Sequence, residues 1–213
     1  MSRKMMLPLL FFCFPLIFGC CARHSTRSDL RSSNYEDDPP AGESERTEPL
    51  AAQQEEIHAH VLELTRAATN PDDSVRKAAI RELGETGGPE AAAALGGLLS
   101  DPDRTTRSRA IRALGQTGRS GWPYLLNALE TEPVPRTRML AAGMLVRIVE
   151  PGDAPAIMER FDRQDTATQM YLVLALVHTD DDEAYSALAR LVESPNRLVR
   201  FYVVNSLAEA PPD

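Results

Sequence analysis

Histidine, aspartate and cysteine are the residue types in this chain that could do chemistry. His178 stands before Thr179, Asp180, Asp181 and Asp182. An imidazole beside three carboxylates could hold a metal ion or run acid–base catalysis. The same run falls in a turn, where aspartates cap the helix that follows and favour its positive end. The capping role is the expectation here. His58 and His60 are two residues apart on a helical stretch, so they point to different faces and cannot chelate one ion. No Ser–His–Asp order, phosphate-binding loop or paired cysteine motif is present. Gly84, Gly87, Gly88, Gly96 and Gly97 sit at turns or close helix contacts, not in a G-x-G-x-x-G after a strand. No catalytic residue, metal site or cofactor is therefore expected. A net charge of −8 and a pI of about 5.1 argue against a general nucleic-acid partner.

The cysteines lie near the N-terminus, and Cys20 has a context. Arg3 and Lys4 are followed by an apolar run, Met5 to Phe18, interrupted by Pro8 and Pro15. That run is shorter than the roughly 20 residues that span a bilayer and reads as an export signal. It ends in Ile17-Phe18-Gly19-Cys20, which resembles the lipobox of bacterial lipoproteins. The resemblance implies a signal peptide over 1–19 and a mature protein that begins at an acylated Cys20, a palmitate-type anchor. Each buried CH₂ of such chains contributes about 0.8 kcal/mol. An ordinary cleaved signal or an uncleaved anchor is the competing reading. Cys21 rather than Asp follows Cys20, which by the sorting rule of that family leans to the outer membrane, facing the periplasm, over the inner one.

Residues 20–49 carry few large apolar side chains and read as a disordered tether. Its charge changes from Arg23, Arg27 and Arg31 to Glu36, Asp37, Asp38, Glu43, Glu45 and Glu48. The basic start could meet anionic headgroups, or the charges serve only to keep the linker solvated.

Beyond the tether the chain repeats. VRKAAIRELG (75–84) returns as TRSRAIRALG (106–115), TRMLAAGMLV (137–146), TQMYLVLALV (168–177) and VRFYVVNSLA (199–208), a period of about 31 residues. One column reads Leu83, Leu114, Leu145, Leu176 and Leu207. A leading helix is expected over Leu50–Ala68, and each decapeptide forms a first helix, A, followed by a second, B. B-helix columns read Leu95, Leu126, Ile157, Leu188 and Leu98, Leu129, Arg160, Leu191, with Phe161 placed to fill the space Arg160 leaves. Column 79 is small at Ala79, Ala110 and Ala141 but large at Leu172 and Val203. Hairpins this short bury their apolar faces only by stacking on neighbours.

The pattern D-x-x-V-R-x-x-A-x-x-A-L-G resembles HEAT repeats, most closely the short bacterial subtype also found in phycobilisome lyases. The resemblance covers Asp72 to Ala208 and implies an all-α, right-handed α-α superhelix, an armadillo-type solenoid of about four and a half hairpin units over 50–213. In the family an Arg pairs with an Asp at the unit start, a ladder between units. Here the Arg column is Arg76, Arg107, Arg138, Gln169 and Arg200, and the acid column Asp72, Asp103, Val134, Asp165 and Asn196. A break is expected at Val134 and Gln169, where the third unit meets the fourth. The resemblance implies a scaffold or adaptor of the cell envelope that binds a protein or peptide. The alternative is a lyase-like enzyme or cofactor handler related to the bilin lyases.

Two surfaces are candidates. By the resemblance, helices B line a concave face, where Trp122, Tyr124, Asn127, Glu159 and Arg190 are the candidate partner-binding residues; Trp and Tyr are frequent anchors of protein contacts. Trp122 packing as core under its turn is the alternative. On the outer face of helices A the character changes along the array. Lys77, Ser108, Met139, Met170, Phe201 form one column and Arg81, Arg112, Gly143, Leu174, Asn205 another. The apolar end, Met139, Met170, Leu174, Phe201 and Tyr202, is expected to meet a partner or a second copy, or else to belong to a more buried helix.

Overall fold

A computed structural model of the chain describes residues 44–209, with side chains from 52 to 208. Cys20, the signal peptide and residues 20–43 of the tether lie outside the described residues.

Among the described residues the fold is all-helical, with no strand. In chain order the elements are α1 (Ser44–Ala67), α2 (Asp73–Thr86), α3 (Gly88–Gly97), α4 (Arg104–Leu114) and α5 (Trp122–Thr131), then α6 (Pro135–Leu145), α7 (Ala154–Phe161), α8 (Thr166–Thr179), α9 (Asp182–Leu191) and α10 (Arg197–Glu209). Even-numbered helices are the A helices and form one row, each packed on the next; odd-numbered helices are the B helices and form the other. Every decapeptide falls in an A helix, so the period read from the sequence is the period of the fold. α1 begins at Ser44, six residues before the expected Leu50. The run from Glu45 to Glu56 is rich in Glu, Gln, Ala and Leu, all strong helix formers, and this carries the helix back into the acidic segment.

The core follows the columns. Leu83, Leu114, Leu145 and Leu176 are fully buried, and Leu207, on the last described helix, is partly exposed. Column 79 stays buried whether it is Ala or, at Leu172 and Val203, large. Phe161 is buried beside Arg160. The Arg160 Nε lies 2.7 Å from Glu130, without hydrogen-bond alignment.

The arginine column works differently from a ladder of unit-start aspartates. Arg76, Arg107, Arg138 and Arg200 each donate to two backbone carbonyls of the turn before their own helix, five and six residues back. Those carbonyls lie in the turn beyond each B helix, outside its hydrogen-bond ladder, so the guanidinium fixes the turn. The aspartates instead cap helices: Asp72, Asp103 and Asp165 accept backbone N–H groups of the first turn. The link from unit two to unit three is Arg107 to Glu132, bidentate at 2.8 and 3.0 Å and buried. The expected break between units three and four is absent, because Arg138 reaches Asp165 at 3.3 Å. Gln169 takes the arginine's place by donating to the Phe161 carbonyl.

Burial pushes the Glu132 carboxyl up, but hydrogen bonds from Arg107 and the Val134 N–H outweigh it, so the group titrates below the usual carboxylate range. The Asp103 carboxyl falls to about 2, chiefly through the Thr105 N–H, then the Thr106 hydroxyl.

Candidate interaction surfaces

His178, Asp180 and Asp181 make hydrogen bonds that build the turn between α8 and α9. The His178 Nδ1 lies 2.8 Å from the Leu174 carbonyl of its own helix. Asp180 takes a left-handed conformation, φ 49°, at the end of α8 and accepts the Tyr185 hydroxyl. Asp181 caps α9 through the Ala184 N–H and also accepts the Gly152 N–H of the preceding unit. His58 and His60 separate as the spacing requires: one meets Glu90, the other Glu82. Among the described residues no group of three His, Cys, Asp or Glu is placed to hold a metal ion. No helix among them is long and apolar enough to cross a membrane.

The B-helix candidates divide. Trp122 is 7% exposed and belongs to the core, which corrects its place among surface anchors. Its column reads Ala91, Trp122, Asp153, Ala184 and is buried in every unit, because it opens each B helix beneath the A–B turn. Arg119 covers the ring at 4.7 Å and bonds Asp153 of the next unit at 2.6 and 2.8 Å. This Arg119–Trp122–Asp153 contact was not legible as a group, since its members come from two repeats.

Tyr124 is half-buried. It lies so close over Gly96 that a methyl there would stand 2.3 Å from the ring. It is a packing residue between units two and one as much as a surface residue. Asn127, Glu159 and Arg190 are exposed. Arg190 lines a groove of about 370 Å³ between α7 and α9, with Pro155, Met158, Asp182, Glu183 and Ser186. Glu159 pairs instead with Arg160 at 2.8 Å.

The outer apolar set divides too. Met139, Met170, Leu174 and Tyr202 are half-buried, and Met139 lines a separate groove between α4 and α6. Phe201 is 66% exposed and shares the outward face of α10 with Leu198 at 56% and Val204 at 53%. The opposite face carries Val199 and Val203, fully buried on the array. Leu198 and Val204 were missed because the columns were followed across repeats and not along this last helix. At the other end α1 turns Glu55, Glu56, Glu63 and Arg66 outward, together with Ile57 and Leu62.

A family model of HEAT repeats matches residues 51–107 and 96–168, together more than half of the chain. The chain belongs to the HEAT-repeat family. Comparison with curated proteins gave no match. Among solved structures, this HEAT array is similar to the complex of CpcE and CpcF of phycocyanin lyase from Nostoc sp. PCC7120, at 21% identity and a TM-score of 0.51, over 84% of this chain and 69% of that one. It is also similar to an engineered protein at 23% identity and a TM-score of 0.44, over 70% of this chain and 78% of that one. Identities this low speak for the fold alone.

Proposed function

We propose that the chain is a lipid-anchored HEAT-repeat scaffold of the bacterial cell envelope that holds a protein partner on its C-terminal end. The observation that carries the reading is the outward face of α10. Leu198, Phe201 and Val204 lie in solvent together on α10, the last described helix, as a contiguous apolar face of the kind that marks an interaction surface. The outer side of α1 mixes its exposed Ile57 and Leu62 with Glu55, Glu56, Glu63 and Arg66, whereas Leu198, Phe201 and Val204 form one apolar face on α10, which favours α10 for a partner. The likeness to one chain of a two-chain complex agrees with a protein partner for an array of this kind. Acylation at Cys20 and placement at the outer membrane, facing the periplasm, rest on the Ile17-Phe18-Gly19-Cys20 sequence and on Cys21.

Three experiments test this reading. Membrane crosslinking with the native anchor should capture one specific envelope protein, and Phe201→Glu with Val204→Glu should abolish that capture without unfolding the array. Capture unchanged by the double variant removes the C-terminal site. Labelling with radioactive palmitate should mark the wild type and not Cys20→Ala; equal labelling removes the anchor. Sedimentation of the purified chain distinguishes a second copy from a different protein.

A further inference from the structure

The groove between α4 and α6 has a chemistry unlike the C-terminal end and needs neither the anchor nor that partner. It measures about 300 Å³ and is lined by Arg104, Ser108 and Arg112 of α4, by Arg136 and Thr137 with apolar neighbours of α6, and by Tyr171 of α8. No carboxylate lines it, although the chain as a whole carries a net charge of −8. None of its three arginines pairs with a carboxylate among the described residues. Nearby, Arg107, Arg109, Arg119 and Arg138 all do. Arg104 and Arg112 stand eight residues apart on one helix, about 12 Å along its axis.

A second observation lies at one end of the groove. In units two and four the capping aspartates, Asp103 and Asp165, also accept the hydroxyls of Thr106 and Thr168. Val134 occupies that place in unit three, and α6 has no side-chain cap. Thr137 is 2% exposed, and its Oγ1 has no hydrogen-bond partner. The first turn of α6 therefore lacks the capping carboxylate that its neighbours possess; the nearby Glu132 accepts the Val134 N–H and is neutralised by Arg107. Arg136 lies in the same turn, and Arg104 opens the helix on the other side of the groove.

We propose that this groove binds an extended acidic peptide of a partner. One carboxylate sits at the start of α6 with Arg104 and Arg136, in place of the missing aspartate. A second, four residues along the peptide, meets Arg112, because four extended residues span about 13 Å. An apolar residue between them lies against Leu140 and Tyr171. Arginine forks suit carboxylates, and charges at both ends of an apolar floor fit a peptide better than a single phosphate. A recessed groove also fits a peptide better than the flat surface of an anionic bilayer.

The test is fluorescence anisotropy with the full chain in detergent, using a labelled Glu-Gly-Leu-Gly-Glu peptide and its Gln-Gly-Leu-Gly-Gln counterpart. Saturable binding of the first, at least tenfold tighter than the second, is expected. Arg104→Gln with Arg136→Gln should weaken it at least tenfold, and Arg163→Gln, outside the groove, should leave it unchanged. Val134→Asp supplies the carboxylate from within the chain, so it should weaken binding about tenfold while raising the melting temperature, a result that misfolding cannot produce. Equal affinity for the two peptides overturns the proposal, as does full binding by Val134→Asp. Arginine-dependent binding to phosphatidylglycerol vesicles without peptide binding also overturns it and assigns the groove to lipid.

Discussion

The junction between units two and three and the free face of α10 are built from the same kind of helix, yet they solve opposite problems. At the junction the buried charges are matched by ion pairs. Arg107 closes on Glu132, and Arg119 lies on Trp122 and reaches Asp153. At α10, the last described helix, Phe201, Leu198 and Val204 are left in solvent. A repeat array is a row of interfaces, so a residue type takes its meaning from whether a neighbouring unit covers it. An aromatic side chain is core at Trp122, beneath its A–B turn, and surface at Phe201, in the outward A-helix column where Lys77 is also exposed.

This contrast can be broken by mutation. The largest expected effect is Trp122→Ala, about 3–5 kcal/mol of lost stability in urea unfolding, because a buried aromatic leaves a cavity. A loss below about 1 kcal/mol would return Trp122 to the surface. Glu132→Ala should cost about 3 kcal/mol, since it leaves Arg107 buried without its partner. Val134→Asp should stabilise by about 1 kcal/mol, as the restored cap accepts the first-turn N–H groups and the Thr137 hydroxyl. Phe201→Glu should change stability by less than about 0.5 kcal/mol, as surface substitutions do, while removing the partner.

Acid sharpens the same comparison. Asp103 titrates in the fold near 2 instead of its ordinary 3.8, and Glu132 is also lowered. A carboxylate lowered by folding stabilises fully above its unfolded pKa, and that contribution disappears as the pH falls through the folded value. The thermal midpoint should therefore drop as the pH is taken from about 5 toward 2. Glu132→Gln should flatten that slope. Phe201→Glu should not, because its new carboxyl is solvated in both states.

Much of this was legible along the chain. The leucine columns, the turn at His178 and the capping aspartates follow from spacing, because a stacked repeat places equal positions in equal surroundings. The departures at Arg160 and Gln169 could be located in the sequence, and for Phe161 so could the remedy. The Arg107–Glu132 pair was hidden. Its members occupy different columns, and column reading compares like with like. The acidic run before Leu50 was read as tether, although its helix-forming residues were enough to start α1 at Ser44.

The sequence by itself determined the period, the helix pairs and the buried columns, since these depend on short-range spacing and on the demand that apolar faces be covered. Only the tertiary structure decided which side chains meet across a boundary: that Trp122 lies under Arg119, that Tyr124 fills the space over Gly96, and that three arginines border one groove. Those contacts join positions about one period apart, and their outcome depends on the angle and separation of neighbouring units, which no single repeat encodes.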